Sequence, residues 1–221
     1  MAIKKRMVGI FSRDSSTLYD WLISTLMATN VVKDIRQVYI SNRFHEFQQE
    51  VYKCDFAILY HSKKRGRINL TDVTDSLYDK ELEHLCRTLG QKNVVVVIDD
   101  LDDSSDSVKS GILFSQPSIR TKAEGLFLFS SEEKTYLNSA PLDTVSGHQR
   151  HSTLRKKMDD LKRVIKDGCA SVDSQLIPHY GLIGSSGSSQ ISSGKKKIIF
   201  IITAIVILIL LLGVILGTTV S

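Results

Sequence analysis

The chain has 221 residues, 42% hydrophobic and 24% charged, with a formal net charge of +5. Ten Lys/Arg against four Asp fall between His148 and Lys197, so the basic excess belongs to one stem; with no zinc-finger spacing or RNA-binding signature, it does not describe a nucleic-acid-binding face. Cys54, Cys86 and Cys169 are widely spaced and contain no CxxC pair, which argues against a disulfide frame or a zinc site and fits a reducing compartment.

In chain order, Met7-Val8-Gly9-Ile10-Phe11 predicts a first strand, followed by a polar turn and helix-capping cluster from Ser12 to Thr17. Leu18, Trp21, Leu22 and Leu26 then recur at helical spacing. Ile35 to Ile40 predicts a second strand, and Phe44, Phe47 and Val51 one face of a second helix. Asp55 to Tyr60 is a third strand leading into a polar loop, His61 to Asp75. Tyr78, Leu82, Leu85 and Leu89 mark a helix closed by Gly90. Val94 to Ile98 is a continuous β-branched run, the pattern of a strand buried on both faces of a parallel sheet. Leu126 to Phe129 is a fifth strand, and Leu154, Met158, Leu161 and Ile165 line a last helix ending near Gly168, with Ser152 or Thr153 able to cap its start.

This alternation predicts a three-layer α/β domain, residues 1–170, with about five mostly parallel strands in a flavodoxin-like order. Residues 171–197 form a linker. Its GSSGSSQISSG stretch (184–194) reaches roughly 18 Å as a random coil. Ile198 to Val220 carries no charged side chain, and about 20 such residues cross a bilayer as one helix. Lys195, Lys196 and Lys197 directly before it favour a cytosolic N-terminal side and a place at the membrane surface. Met7 to Phe11 is too short for a secretory signal, and only Ser221 follows Val220, so the expectation is a tail-anchored, single-pass protein inserted after translation. A strongly apolar span with no basic residue beyond it points to the endoplasmic reticulum rather than the mitochondrial outer membrane.

Several side chains are candidates for chemistry. Asp99, Asp100, Asp102, Asp103 and Asp106 follow the best strand, but no GxxxxGK[ST] loop accompanies them, so a solvated turn is expected rather than a magnesium site. Ser12, Ser15, Ser16 and Thr17, with Asp14 among them, lie beyond the carboxyl end of the first strand, where open α/β sheets bind ligands. Backbone N–H groups there could cradle an anion, although the absence of glycine favours plain helix capping. The six histidines show no metal-ligand spacing, and no GxSxG elbow is present. No metal is expected.

Phe11-Ser12-Arg13-Asp14, followed by Trp21-Leu22, is similar to the first strand and helix of the TIR domain, a cytosolic α/β signalling module. The third strand, Ile58-Leu59-Tyr60, is followed by Ser76-Leu77-Tyr78-Asp79-Lys80-Glu81-Leu82, which resembles that family's Ser-x-Trp-Cys-x-x-Glu-Leu stretch without its Trp-Cys and one residue short. The resemblance covers roughly residues 7 to 130. It implies one of two functions: a scaffold that self-associates or binds protein partners, or an enzyme that cleaves NAD with Glu81 as the catalytic carboxylate. Helical geometry puts Glu81 about 70° from the apolar centre of its helix, on a flank. The expected function is a membrane-tethered interaction module without a cofactor; a NAD-cleaving or nucleotide-binding enzyme is the alternative, and a degenerate nucleotide-hydrolase fold a third.

Overall fold

The computed structural model describes residues 5–139 and 149–168. Five strands, β1 (Arg6–Ser12), β2 (Val32–Tyr39), β3 (Phe56–Ser62), β4 (Val94–Leu101) and β5 (Gly125–Ser130), form one sheet in the order β2-β1-β3-β4-β5. Every adjacent pair is parallel. This is the flavodoxin-like order of a doubly wound α/β sheet. The helices are α1 (Asp20–Met27), α2 (Phe44–Val51), α3 (Asp79–Leu89), α4 (Asp106–Ser115), α5 (Pro117–Lys122), α6 (Ser131–Ser139) and α7 (Gln149–Asp167).

The two-residue period of the strands sorts the core into two layers. Phe11, Ala57, Leu59, Val94, Val96 and Ile98 face the α2–α5 side, where Phe47, Val51, Tyr78, Leu82 and Leu85 meet them. Val8, Ile10, Phe56, Ile58, Tyr60, Val95 and Val97 face the other side, against Trp21, Leu22 and Leu26 of α1 and Leu154, Met158, Leu161 and Ile165 of α7. Burial on both faces is why β4 reads as an unbroken apolar run. Gly9 in β1 has no room for a side chain: a methyl there would lie 2.7 Å from Cys54 Sγ.

The structure differs from the sequence expectation at three places. β3 runs on through His61 and Ser62, and β4 through Asp99, Asp100 and Leu101, so the first residues of two expected polar loops are buried strand ends. Ser15 and Ser16 do not cap a helix by their side chains: a 3-10 turn, Ser16–Leu18, intervenes, and α1 starts only at Asp20. Helices α4, α5 and α6 occupy stretches with no helical periodicity strong enough to announce them. Lys157 turns inward from α7, onto Glu133, Ser104 and the Leu128 carbonyl.

Among the described residues no helix is long and apolar enough to cross a membrane. The expected span at 198–220, the linker and Lys195, Lys196 and Lys197 lie outside the described residues.

Candidate functional site

In this strand order the chain leaves β1 toward β2 on one side and returns to β3 on the other, so the topological switch point lies between β1 and β3. The registers Ser62↔Asp99 and Phe11↔Leu59 bring the carboxyl ends of β1, β3 and β4 nearly level. Polar side chains collect there because the apolar layers stop with the strands. Ser12, Asp14, His61, Ser62, Glu81, Asp99, Asp100 and Lys134 are all buried.

Asp14 spans the switch point. Its Oδ2 accepts the Ser62 N–H at 2.9 Å, and Arg65 approaches its Oδ1 at 3.4 Å. Ser12 Oγ accepts the Asp14 N–H and donates to the Tyr60 carbonyl, both at 2.9 Å, which ties the β1 turn to β3. His61 lies beneath. Its Nε2 meets the Arg67 carbonyl at 3.1 Å and therefore carries the proton, leaving Nδ1 without a partner and 4.0 Å from Asp14 Oδ2. Burial pushes the His61 pKa down, against the raising influence of Asp14.

A second group forms at the end of β4. The β4–β5 register shifts between Ile98 and Leu101, and Asp100 takes φ +56°, a left-handed conformation that aspartate tolerates better than most residues. Successive aspartates thereby reach the same lysine: Lys134 Nζ is 3.0 Å from Asp99 Oδ2 and 2.8 Å from Asp100 Oδ2. Trp21 Nε1 also donates to Asp99 Oδ2 at 2.8 Å, and Ser62 Oγ to Asp100 Oδ2 at 2.6 Å. Burial dominates at Asp99, whose Oδ1 has no partner, and raises its pKa despite these donors. At Asp100 the burial penalty is outweighed by hydrogen bonds from Lys134 and Ser62, and the pKa falls.

Glu81 is the third element. It sits in the first turn of α3 and pairs with Arg13 at 2.8 Å, with side-chain exposures of 8% and 21%. Arg13 is fixed in turn by Nε to the Leu77 carbonyl (3.1 Å) and by its backbone N–H to the Tyr78 hydroxyl (3.3 Å). Glu81 is thus more enclosed than a helix flank alone implies.

Of the residues expected to bind a ligand, Ser12 and Asp14 meet at the switch point. Ser15 and Ser16 do not join them: Ser15 is exposed, its hydroxyl bonded to Thr17 at 3.0 Å, and Ser16 is only half-buried. An acidic first turn at Asp20 also makes the start of α1 a poor anion cradle. The sequence reading missed Trp21, Ser62, Arg65 and Lys134 as parts of one cluster. The one signal available for any of them was the run Lys63-Lys64-Arg65-Gly66-Arg67 directly after β3. Among the described residues no group of three His, Cys, Asp or Glu side chains is placed to hold a metal ion. No protein-family model matches this chain, and no curated protein is significantly similar to it.

Proposed function

We propose that the chain is a membrane-tethered interaction module, TIR-like in organisation, that acts as a signalling adaptor or scaffold through contacts of its α/β domain. The observation that carries this reading is the Arg13–Glu81 ion pair, 2.8 Å long and largely enclosed. A NAD-cleaving enzyme needs a carboxylate free to face the ribose as positive charge develops there. In this chain the one carboxylate with a motif-based claim is already neutralised by the Arg13 guanidinium, whose Nε donates to the Leu77 carbonyl while the Arg13 backbone N–H donates to the Tyr78 hydroxyl. Releasing it would leave a buried charge unpaired, a step that costs several kcal/mol when no new partner replaces the old.

The test is NAD turnover by the full chain clustered on liposomes, beside measurement of its self-association. Self-association with NAD left intact is the expected result. Turnover that vanishes in Glu81→Ala, with the circular dichroism spectrum preserved, would establish the enzyme instead.

A further inference from the structure

We propose that the turn Lys63–Arg67 binds an anion bearing clustered phosphate groups. From His61 to Thr71 the chain has four cations, Lys63, Lys64, Arg65 and Arg67, and no carboxylate. Lys63 to Arg67 are exposed throughout. The turn leads straight out of β3 at the switch point, the crevice in which sheets of this topology take their ligands.

The turn is also held in shape from below. The Lys64 N–H donates to Ser62 Oγ at 3.3 Å, the Gly66 N–H to the Lys63 carbonyl at 2.9 Å, and Arg65 to the Arg13 carbonyl at 2.7 Å. The Arg67 carbonyl rests on the buried His61 ring. Gly66 adopts φ +125° and ψ −117°, a conformation open to glycine alone, and a methyl there would meet nothing within 4 Å. The outer face of the turn is therefore open to an approaching ligand.

Charge accounting separates this turn from ordinary solvated lysines. Lys64 and Arg65 are partly compensated from beneath, by Asp100 at 3.5 Å and Asp14 at 3.4 Å. Lys63 bonds only the Gly66 carbonyl, at 3.1 Å, and among the described residues neither Lys63 nor Arg67 has a carboxylate partner. Two uncompensated cations and two half-compensated ones within five residues exceed what a single carboxylate can satisfy. Clustered phosphates match the demand: several charges in small compass, with oxygens that arginine grips in pairs and lysine meets as a point charge. The chemistry is shared by soluble polyphosphates and by phosphorylated lipid headgroups.

The experiment uses the full chain in neutral detergent micelles, titrated with inositol hexakisphosphate, and in a second arm with neutral vesicles containing a small fraction of phosphatidylinositol bisphosphate. Saturable, salt-weakened binding is expected in at least one arm, and the arm that responds identifies a soluble or a lipid source. Lys63→Ala/Arg67→Ala should weaken it by about tenfold or more, as the loss of two charge-assisted contacts requires. The control Lys156→Ala/Lys166→Ala, on exposed positions of α7, should change it by less than about twofold. Both pairs are exposed, so circular dichroism should show an unchanged fold. No saturable binding in either arm, or equal losses from the two double variants, would overturn the assignment. NAD turnover has no bearing on either outcome, so this result and the adaptor reading fail separately.

Discussion

Trp21 donates its indole N–H to Asp99 at 2.8 Å across 78 positions of sequence, and the acceptor oxygen is the one that Lys134 also holds at 3.0 Å. One carboxylate oxygen thus joins α1, the end of β4 and α6. Its two partners stand on two different helices, so removing it leaves an indole N–H and part of an ammonium unsatisfied among buried side chains. Asp99→Ala should lower unfolding free energy by about 3–5 kcal/mol. Trp21→Phe should cost less, about 1–3 kcal/mol, because ring packing on Phe129 (centroids 4.8 Å apart) survives while one hydrogen bond is lost. Urea titration of the three proteins checks the order; an Asp99→Ala protein as stable as the parent would refute the shared role.

Acid sensitivity should come in part from His61. Its ring faces Asp14 and the Arg67 carbonyl, which favour the proton, and Arg65 and Lys63, which oppose it; burial is the largest influence and lowers the pKa. The unfolded chain takes up a proton near the ordinary value of about 6.5, where the folded chain does not. Between the lowered folded value and 6.5 the unfolded state therefore holds more protons. Stability rises with pH through that window and falls on acidification from 6.5 downward, by at most about 1.4 kcal/mol per pH unit for one proton. His84, also lowered by burial, adds a slope of the same sign. The informative quantity is thus the difference between parent and His61→Gln, which can still donate to the Arg67 carbonyl. Urea midpoints at pH 5.5 and 7.5 should move less in the variant; identical shifts would remove His61 from the account.

On the proposed membrane-tethered reading, deleting residues 198–221 should release the chain from membranes, since they contain the one long uncharged apolar run in its sequence, about 20 residues. Fractionation of cells expressing the two forms decides it. A deleted form that still sediments with carbonate-washed membranes would require a second attachment.

The sequence made the sheet legible because its strands are short apolar runs separated by helices with clear periodicity, as Val94 to Ile98 and Leu82, Leu85 and Leu89 illustrate. Strand ends were harder. His61, Ser62, Asp99 and Asp100 are polar residues at buried strand ends, and hydropathy cannot separate a buried, paired aspartate from a solvated one. Their burial depends on partners far away in sequence: Trp21 lies 78 positions from Asp99, and Lys134 lies 34 from Asp100. Lys134 itself stands in α6, a helix whose Ser-Glu-Glu-Lys start looks wholly polar, and nothing local marks it as buried. Asp14 was reachable through its placement after β1 and Glu81 through the family resemblance, but nothing local paired Arg65 with the one or Arg13 with the other.

One contact at the amino ends of the strands bears on how this domain can be rewired. α7 ends at Asp167, and Gly168 packs so closely on the start of β4 and β1 that a methyl there would lie 2.7 Å from the Lys92 carbonyl and 3.1 Å from the Arg6 guanidinium. Among the described residues the first strand and the last helix therefore begin and end side by side, at the opposite pole from the Lys63–Arg67 turn. Domains with adjoining ends tolerate circular permutation and insertion into host loops. A few glycines joining Gly168 to Lys5 would close this fold into a ring, and new ends could be cut at the exposed Asp102–Asp103 turn without breaking a strand or a helix.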